Sequence, residues 1–546
     1  MPAFVGLSLI LEPNPPLMQN SYRKNLPAIL FTAAAITAQA QFPNIKLDSN
    51  QSYGECSIII NPKNINQVIG GSNLNNVYRT GDGGATWSKQ TVNVSGDNGD
   101  PTCAIDTAGN FYFAHLHGAQ DGNSCYRSTD GGVTWNFRSN FGTTNVYDDD
   151  KEWLLVDWSP NSPYKNTMYS TWAEFDNYGS SSPSDSSRIL LSKSTDDGLT
   201  WTSPVRVSRQ GGNCGFYAIK GSVPATGPNG ELYIIWCGTT TSASSSNVFF
   251  QKSLDGGNTW MMQDKIIDVQ VPTWYYTIPG FVYGTGFPGI DCDVSGGPYN
   301  GNIYVTWCDQ RNGLNNTDVF LAKSSDGGTT WNTIRVNNDV GQTHQSHPWV
   351  CVDQTTGVVY MVFYDRRNYN DTRTDVYLAW STDGGNSFSQ IKINTLTAID
   401  PNASSLWTDY IGITAHNNKI HPIWSASRLS DGVEEWTTTI DGTQLVGIKE
   451  QQQRNEGELV LYQNYPNPFS VYSQFDFYMS KPAVVNLKIY DITGREVASL
   501  INGEQYGSGM HNFSVSSDAI KLPAGIYYCV LSTPTAKDTR KFTVTQ

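Results

Sequence analysis

One octapeptide recurs six times and constrains the fold more than any other feature of the chain. It reads TGDGGATW at Thr80–Trp87, STDGGVTW at Ser128–Trp135 and STDDGLTW at Ser194–Trp201. It returns as SLDGGNTW at Ser253–Trp260, SSDGGTTW at Ser324–Trp331 and STDGGNSF at Ser381–Phe388. The residue types describe a tight hairpin. The Asp carboxylate can accept turn N–H groups, Gly supplies positive φ, and the leading Ser or Thr bonds locally. The closing aromatic is free to pack between sheets. The central aspartates, Asp82, Asp130, Asp196, Asp255, Asp326 and Asp383, therefore have a structural role. Their spacing is that of a propeller or solenoid repeat.

Each box sits in a larger unit. From His347 the chain reads HPWVCVD, VVYMVFYDRR, DVYLAWSTDGGNSF and QIKIN, which predicts strands A, B and C, the box, and strand D. Units of this kind begin near residues 53, 100, 151, 219, 287, 347 and 409, one more than there are boxes. The last unit lacks a good box and a following D strand. Asn44-Ile45-Lys46-Leu47 resembles QIKIN and precedes the first unit, so it can supply the missing strand and remove two exposed sheet edges. The expectation is an all-β chain with a seven-bladed propeller over 42–442. Six blades is the alternative.

The composition agrees. Aromatics make up 12% and charged residues 15%, with 50 glycines, which excludes a disordered chain and a coiled coil. A net charge of −14 argues against nucleic-acid and anionic-membrane binding. Residues 1–40 read as a signal region with a basic start at Arg23-Lys24, an apolar run Leu26–Thr37 and an Ala38-Gln39-Ala40 cleavage site; Met18 is the expected true start. No other stretch has transmembrane length. Nine cysteines are too few for a disulfide scaffold. One or two disulfides are weighed against buried thiols, with Cys214 and Cys237 the expected pair by loop proximity.

The boxes resemble the Asp-box (BNR) repeats of the sialidase-like propeller superfamily. That resemblance implies the propeller fold and leaves the activity open, because fold alone does not fix function. After the polar linker 443–458, residues 459–546 predict a small Ig-like β-sandwich. Tyr465-Pro-Asn-Pro-Phe469, Asp491-Ile-Thr-Gly494 with Val497, Leu522-Pro-Ala-Gly525-Ile-Tyr527 and the Lys541 ending resemble a type A sorting domain of the type IX secretion system. This resemblance implies a Bacteroidetes-type bacterium, contact with the secretion machinery, and a product that is released or held on the outer-membrane surface.

Candidate chemistry falls on the loops opposite the boxes. Arg311, Arg367 and Arg428 end successive B strands, with Arg366 adjacent, and converging guanidinium groups would bind a carboxylate. Sialidases use an arginine triad in this way; salt bridging to Asp309 and Asp365 is the alternative. Asp409, Tyr410 and Glu152 are the catalytic candidates, since the resemblance calls for an acid and a Tyr nucleophile with a Glu partner. Asp148, Asp149 and Asp150 could hold Ca²⁺; otherwise no cofactor is expected. Trp274, Tyr275 and Tyr276 lie in an aromatic insertion, residues 272–287, that could stack on sugar rings. His115 and His117 could face the channel mouth but lack metal-ligand partners. The Arg-Ile-Pro motif that opens bacterial sialidases is missing. Three functions follow in order: recognition of an extracellular glycan or glycoprotein, glycoside hydrolysis, and non-catalytic adhesion.

Overall fold

The computed structural model describes residues 42–545 except 52–53, 93–98, 119, 216–217, 240–244, 402, 429–431, 446–458, 463, 465–466, 468, 493 and 517–520. The signal region, nearly all of the linker and part of the Tyr465–Phe469 motif lie outside the described residues. No described helix is long and apolar enough to cross a membrane.

The described chain is all-β. Between residues 44 and 441, seven antiparallel sheets of four or more strands follow one another in sequence order. Their first strands are Ser57–Ile60, Thr102–Ile105, Asp148–Val156, Ile219–Thr226, Gly289–Cys292, Gln345–Val352 and Gly412–His416. Each contacts the first strand of the next sheet, and Gly412–His416 contacts Ser57–Ile60, so these inner strands form a ring. The seventh sheet takes its fourth strand from the other end of the chain: Asn44–Gln51 pairs antiparallel with Gly432–Thr438, Asn44 opposite Thr438. Lys46 Nζ adds an ion pair to Glu434 at 3.0 Å. The edge that the sequence left open is thereby covered.

The boxes weld neighbouring sheets. In the first, Thr80 Oγ1 donates to Asp82 Oδ1 at 2.7 Å and accepts from Gly84 N at 3.0 Å. Asp82 then accepts from Thr86 N at 2.9 Å and Thr86 Oγ1 at 2.6 Å. Asp326 repeats the pattern with Ser324 and Thr330. The bonds from Thr86 and Thr330 hold Asp82 and Asp326 down at about 2. The second glycine of each box has positive φ and lies against the preceding sheet. A β-carbon on Gly328 would stand 2.4 Å from Phe250, on Gly385 2.9 Å from Tyr304, and on Gly84 3.0 Å from His421. The last contact joins the first sheet to the seventh. The second strands bury Trp172, Trp236, Trp307 and Trp424 almost completely.

Residues from Leu459 onward form a three-stranded and a four-stranded sheet on a common core that includes Phe475, Phe477, Leu487, Ile489 and Phe542. The cysteines decide against the weighed disulfides: all nine are free thiols, eight of them buried and Cys103 half-buried. Cys214 packs in an apolar cluster with Ile219 and Trp236, while the Cys237 thiol donates to the Lys220 carbonyl.

Candidate functional site

Five of the seven inner strands begin with a left-handed residue, and this sets the site. The residue two positions before the first regular pair is Glu55, Asp100, Lys151, Gly221, Phe287, His347 or Tyr410 in sheets one to seven. The backbone is left-handed at Glu55 (φ 70°), Asp100 (54°), Lys151 (53°), Gly221 (72°) and His347 (52°). Four of these are not glycine, and each pays about 1 kcal/mol or more for the conformation. Backbone strain repeated around one end of a ring is the kind retained at functional sites. Gly221 has no side chain because Phe287 fills the space, 2.7 Å from where a β-carbon would lie.

This end of the ring gathers a buried charged cluster. Glu55, Asp100, Asp150, Lys220 and Asp409 form its floor, each 5–9% exposed, and Lys151, Glu152 and Tyr410 lie beneath at 0–2%. Asp100 accepts from Tyr410 Oη at 3.1 Å and from Lys151 N at 3.2 Å. Asn73 Nδ2 donates to Glu55 Oε2 at 2.5 Å. Lys220 is ion-paired with Asp150 and donates to Tyr178 Oη at 3.1 Å. The Lys151 ammonium finds no hydrogen-bond acceptor among the described residues. It rests instead on rings: 3.8 Å from the Tyr410 centroid, 4.1 Å from Trp153 and 5.5 Å from Trp349. Trp153, Trp349 and Tyr410 pack on one another with centroids 4.4–6.0 Å apart. Beyond this aromatic layer the inner strands of all seven sheets line a cavity of about 370 Å³.

The electrostatics follow from burial and crowding. Burial, then the Asp150 charge, pushes Asp100 up to about 7. Burial raises Glu55 strongly, and the charges of Asp100 and Asp409 raise it further. Glu152 and Asp409 are raised by burial as well. Burial lowers Lys151 to about 8 against the pull of Asp100 and Glu152. Burial would lower Lys220 too, but Asp150, Tyr178 and Asp409 outweigh it and its pKa is raised. The crater thus holds groups that can exchange protons near neutral pH.

Aromatic residues rim the floor. Tyr283 reaches toward Asp409 and packs on Tyr275 and Trp407, with centroids at 5.0 and 6.0 Å. Trp407 and Tyr178 are exposed, Tyr275 and Tyr283 half-buried.

The structure sorts the candidates read from the sequence. Tyr410, Asp409 and Glu152 are brought together in the crater. Tyr410 partners Asp100, a residue the sequence reading missed, as it missed Glu55, Lys151 and Lys220. The arginines do not form a common claw. Arg311 is clamped by Asp309, with Nη2–Oδ2 at 2.7 Å, and reaches the Val269 carbonyl of the preceding sheet. Arg367 is clamped by Asp365 at 2.6 Å and bonds Gln390 and Asn338. Arg428 lies 3.7 Å from Asp400 and 3.9 Å from Glu434. Arg366 is buried, donates to Thr374 Oγ1 and lies over the Phe281 ring. For both Arg311 and Arg367 an aspartate two residues upstream is an ion-pair partner.

Trp274 and Tyr276 are not a platform either: both are buried, Trp274 stacked on Phe287 and Tyr276 bonded to the Cys308 thiol. Only Tyr275 of that trio reaches the rim. Asp148, Asp149 and Asp150 stand in a strand, so consecutive carboxylates point to opposite faces. They go to Tyr178 N, Gly122 N and Lys220 respectively. Among the described residues no three His, Cys, Asp or Glu side chains are grouped to hold a metal ion. His115 is fully buried and stacks on Tyr126; His117 contacts Ser124 and Asn140 in its own sheet.

Residues 166–428 match the BNR repeat-like domain family and residues 463–545 match the secretion system C-terminal sorting domain. The chain therefore carries a BNR repeat-like domain, with two further boxes upstream of the matched segment, and a sorting tail that links it to the type IX secretion machinery. No curated protein matches the chain. Solved structures similar to it include a Trypanosoma rangeli sialidase in complex with the inhibitor DANA, at 12% identity over 84% of this chain and 85% of that one, TM-score 0.41. A Penicillium chrysogenum alpha-L-arabinanase complexed with arabinobiose aligns at 15% identity over 63% and 93%, TM-score 0.40. A protein of unknown function from Dyadobacter fermentans aligns at 11% identity over 74% and 98%, TM-score 0.43.

Proposed function

We propose that the chain is an exported seven-bladed propeller that recognises an extracellular glycan at the crater, and that residues 459–546 form an Ig-like sorting domain delivering it to the cell surface or the medium. The observation that carries the reading is the aromatic rim of Tyr178, Tyr275, Tyr283 and Trp407 around a floor of buried carboxylates. Sugar rings stack on aromatic faces while their hydroxyls donate to carboxylates, and a few polar groups in an aromatic setting give orientation. The sorting domain supports export. The test is a glycan array with the wild-type chain and the variants Trp407→Ala and Tyr283→Ala. Binding is expected, with loss of about tenfold or more in either variant, each removing a stacking face. A silent array, or binding unchanged in both variants, overturns the reading and favours adhesion through protein contacts.

A second reading, glycoside hydrolysis, is favoured by one specific contact. Tyr410 Oη donates to Asp100, and Asp100 is poised at about 7, a value suited to proton transfer at neutral pH. Fluorogenic glycosides would report turnover, and Asp100→Asn should abolish it. Turnover that survives Asp100→Asn places the chemistry elsewhere.

A further inference from the structure

The crater floor is unbalanced. Among the described residues Glu55, Asp100, Asp150, Glu152 and Asp409 face two cations, Lys151 and Lys220. Lys220 is taken by Asp150, and Lys151 is seated beneath on the aromatic layer. Glu55 and Asp100 accept hydrogen bonds, but Asp409 and Glu152 are less well satisfied. Oδ1 of Asp409 accepts no hydrogen bond among the described residues, although the side chain is 6% exposed, and neither oxygen of fully buried Glu152 does. Arg311 and Arg367, the cations that could have offset this charge, are clamped by Asp309 and Asp365 instead. Tyr283 reaches Asp409 and packs on the rings of Tyr275 and Trp407. Excess buried carboxylate under aromatic faces is the chemistry that recognises an organic cation.

We infer that the crater selects a glycan bearing a protonated amine, an amino sugar without its N-acyl group, whose ammonium lies against Asp409 beneath the Tyr283 and Trp407 rings. The inference rests on the glycan reading above and gives it a substrate class. An anionic sugar acid would meet excess carboxylate in the same place. Burial and crowding raise Glu55 and Asp409 and hold Asp100 at about 7; an ammonium beside them opposes that shift and draws a proton from the cluster. Binding is thus coupled to proton release; the other titratable groups facing the cluster are Lys151, held at about 8, Lys220, Asp150, Glu152, Cys237, Tyr178, Tyr275, Tyr283 and Tyr410.

The test is calorimetric titration of the full chain at neutral pH with three probes: the glucosamine tetramer, the N-acetylglucosamine tetramer and cellotetraose. Two buffers of different ionisation enthalpy report proton exchange. The glucosamine tetramer is expected to bind at least about tenfold more tightly than the other two, with net proton release. Asp409→Asn should remove that preference and the proton release together. Equal binding of all three tetramers overturns the amine preference and leaves the glycan reading intact. If no tetramer binds but tetramethylammonium does, with proton release, the cation site stands and the glycan reading falls. Failure of all four probes overturns the inference. The probe comparison needs only the wild-type chain, so misfolding of the variant cannot obscure it.

Discussion

If the boxes weld the ring through their second glycine, a single methyl group there should be costly and its neighbour should be the control. Gly328 has φ +84°, and a β-carbon on it would lie 2.4 Å from Phe250 Cε1 and Cζ. Phe250 is fully buried, stacked on Tyr233 and edge-on to Trp331 at 5.2 Å, so it has little freedom to withdraw. Gly327 has φ +66°, but its nearest neighbour would be the Lys252 ammonium at 3.7 Å, which already donates to the Gly327 carbonyl and leaves room for a methyl group. Gly327→Ala therefore carries only the left-handed backbone cost, about 1–2 kcal/mol. Gly328→Ala carries that cost plus overpacking of about 1–3 kcal/mol, a total of about 2–5 kcal/mol. Urea unfolding followed by tryptophan fluorescence measures both, and the difference between the variants isolates the inter-sheet contact. Adding Phe250→Leu to Gly328→Ala should recover about 1 kcal/mol of coupling. Equal destabilisation by the two glycine variants, or no recovery in the double variant, would refute the weld.

Three further outcomes follow from the same geometry. Arg311→Ala should destabilise the fold by about 3 kcal/mol, because it strands fully buried Asp309, while leaving glycan affinity unchanged; an affinity loss in the folded variant would restore the carboxylate-claw reading. Glu435 is fully buried and pushed up to about 8, chiefly by burial, so the folded state keeps a proton that the unfolded chain releases. Its contribution is whole below the unfolded pKa and is lost as pH rises from about 4.5 through 8, at up to about 1.4 kcal/mol per pH unit. Stability profiles of the wild type and Glu435→Gln should therefore converge at acid pH and separate above it, with the variant flatter; parallel profiles would contradict the assignment. Removing residues 42–51 uncovers Gly432–Thr438, and size-exclusion chromatography should show association that a peptide of residues 42–51 reverses. A monomeric truncated chain would mean that the ring does not need this strand.

Some of the molecule was legible because its partners are close in sequence. The octapeptide satisfies itself within eight residues, so Asp326 and its Ser and Thr partners could be read without the fold. The same holds for Arg311 and Arg367, whose aspartates lie two residues upstream; their proximity is why they are spent on structure. Asn44–Gln51 was recognisable by its likeness to the other fourth strands. The aromatic insertion misled because periodicity does not show which rings of a long loop turn inward.

The sequence by itself determined the repeat, the strand order, the strand that completes the seventh sheet, and the sorting tail, since each is written in contiguous residues with local chemistry. Only the tertiary structure decided the crater. Glu55, Asp100, Lys151, Lys220 and Tyr410 come from five different sheets, and nothing near any of them in sequence announces the others. The starts of the inner strands, left-handed at Glu55, Asp100 and Lys151, bring them to one mouth when the ring closes, and burial then shifts their charges as no local motif could reveal.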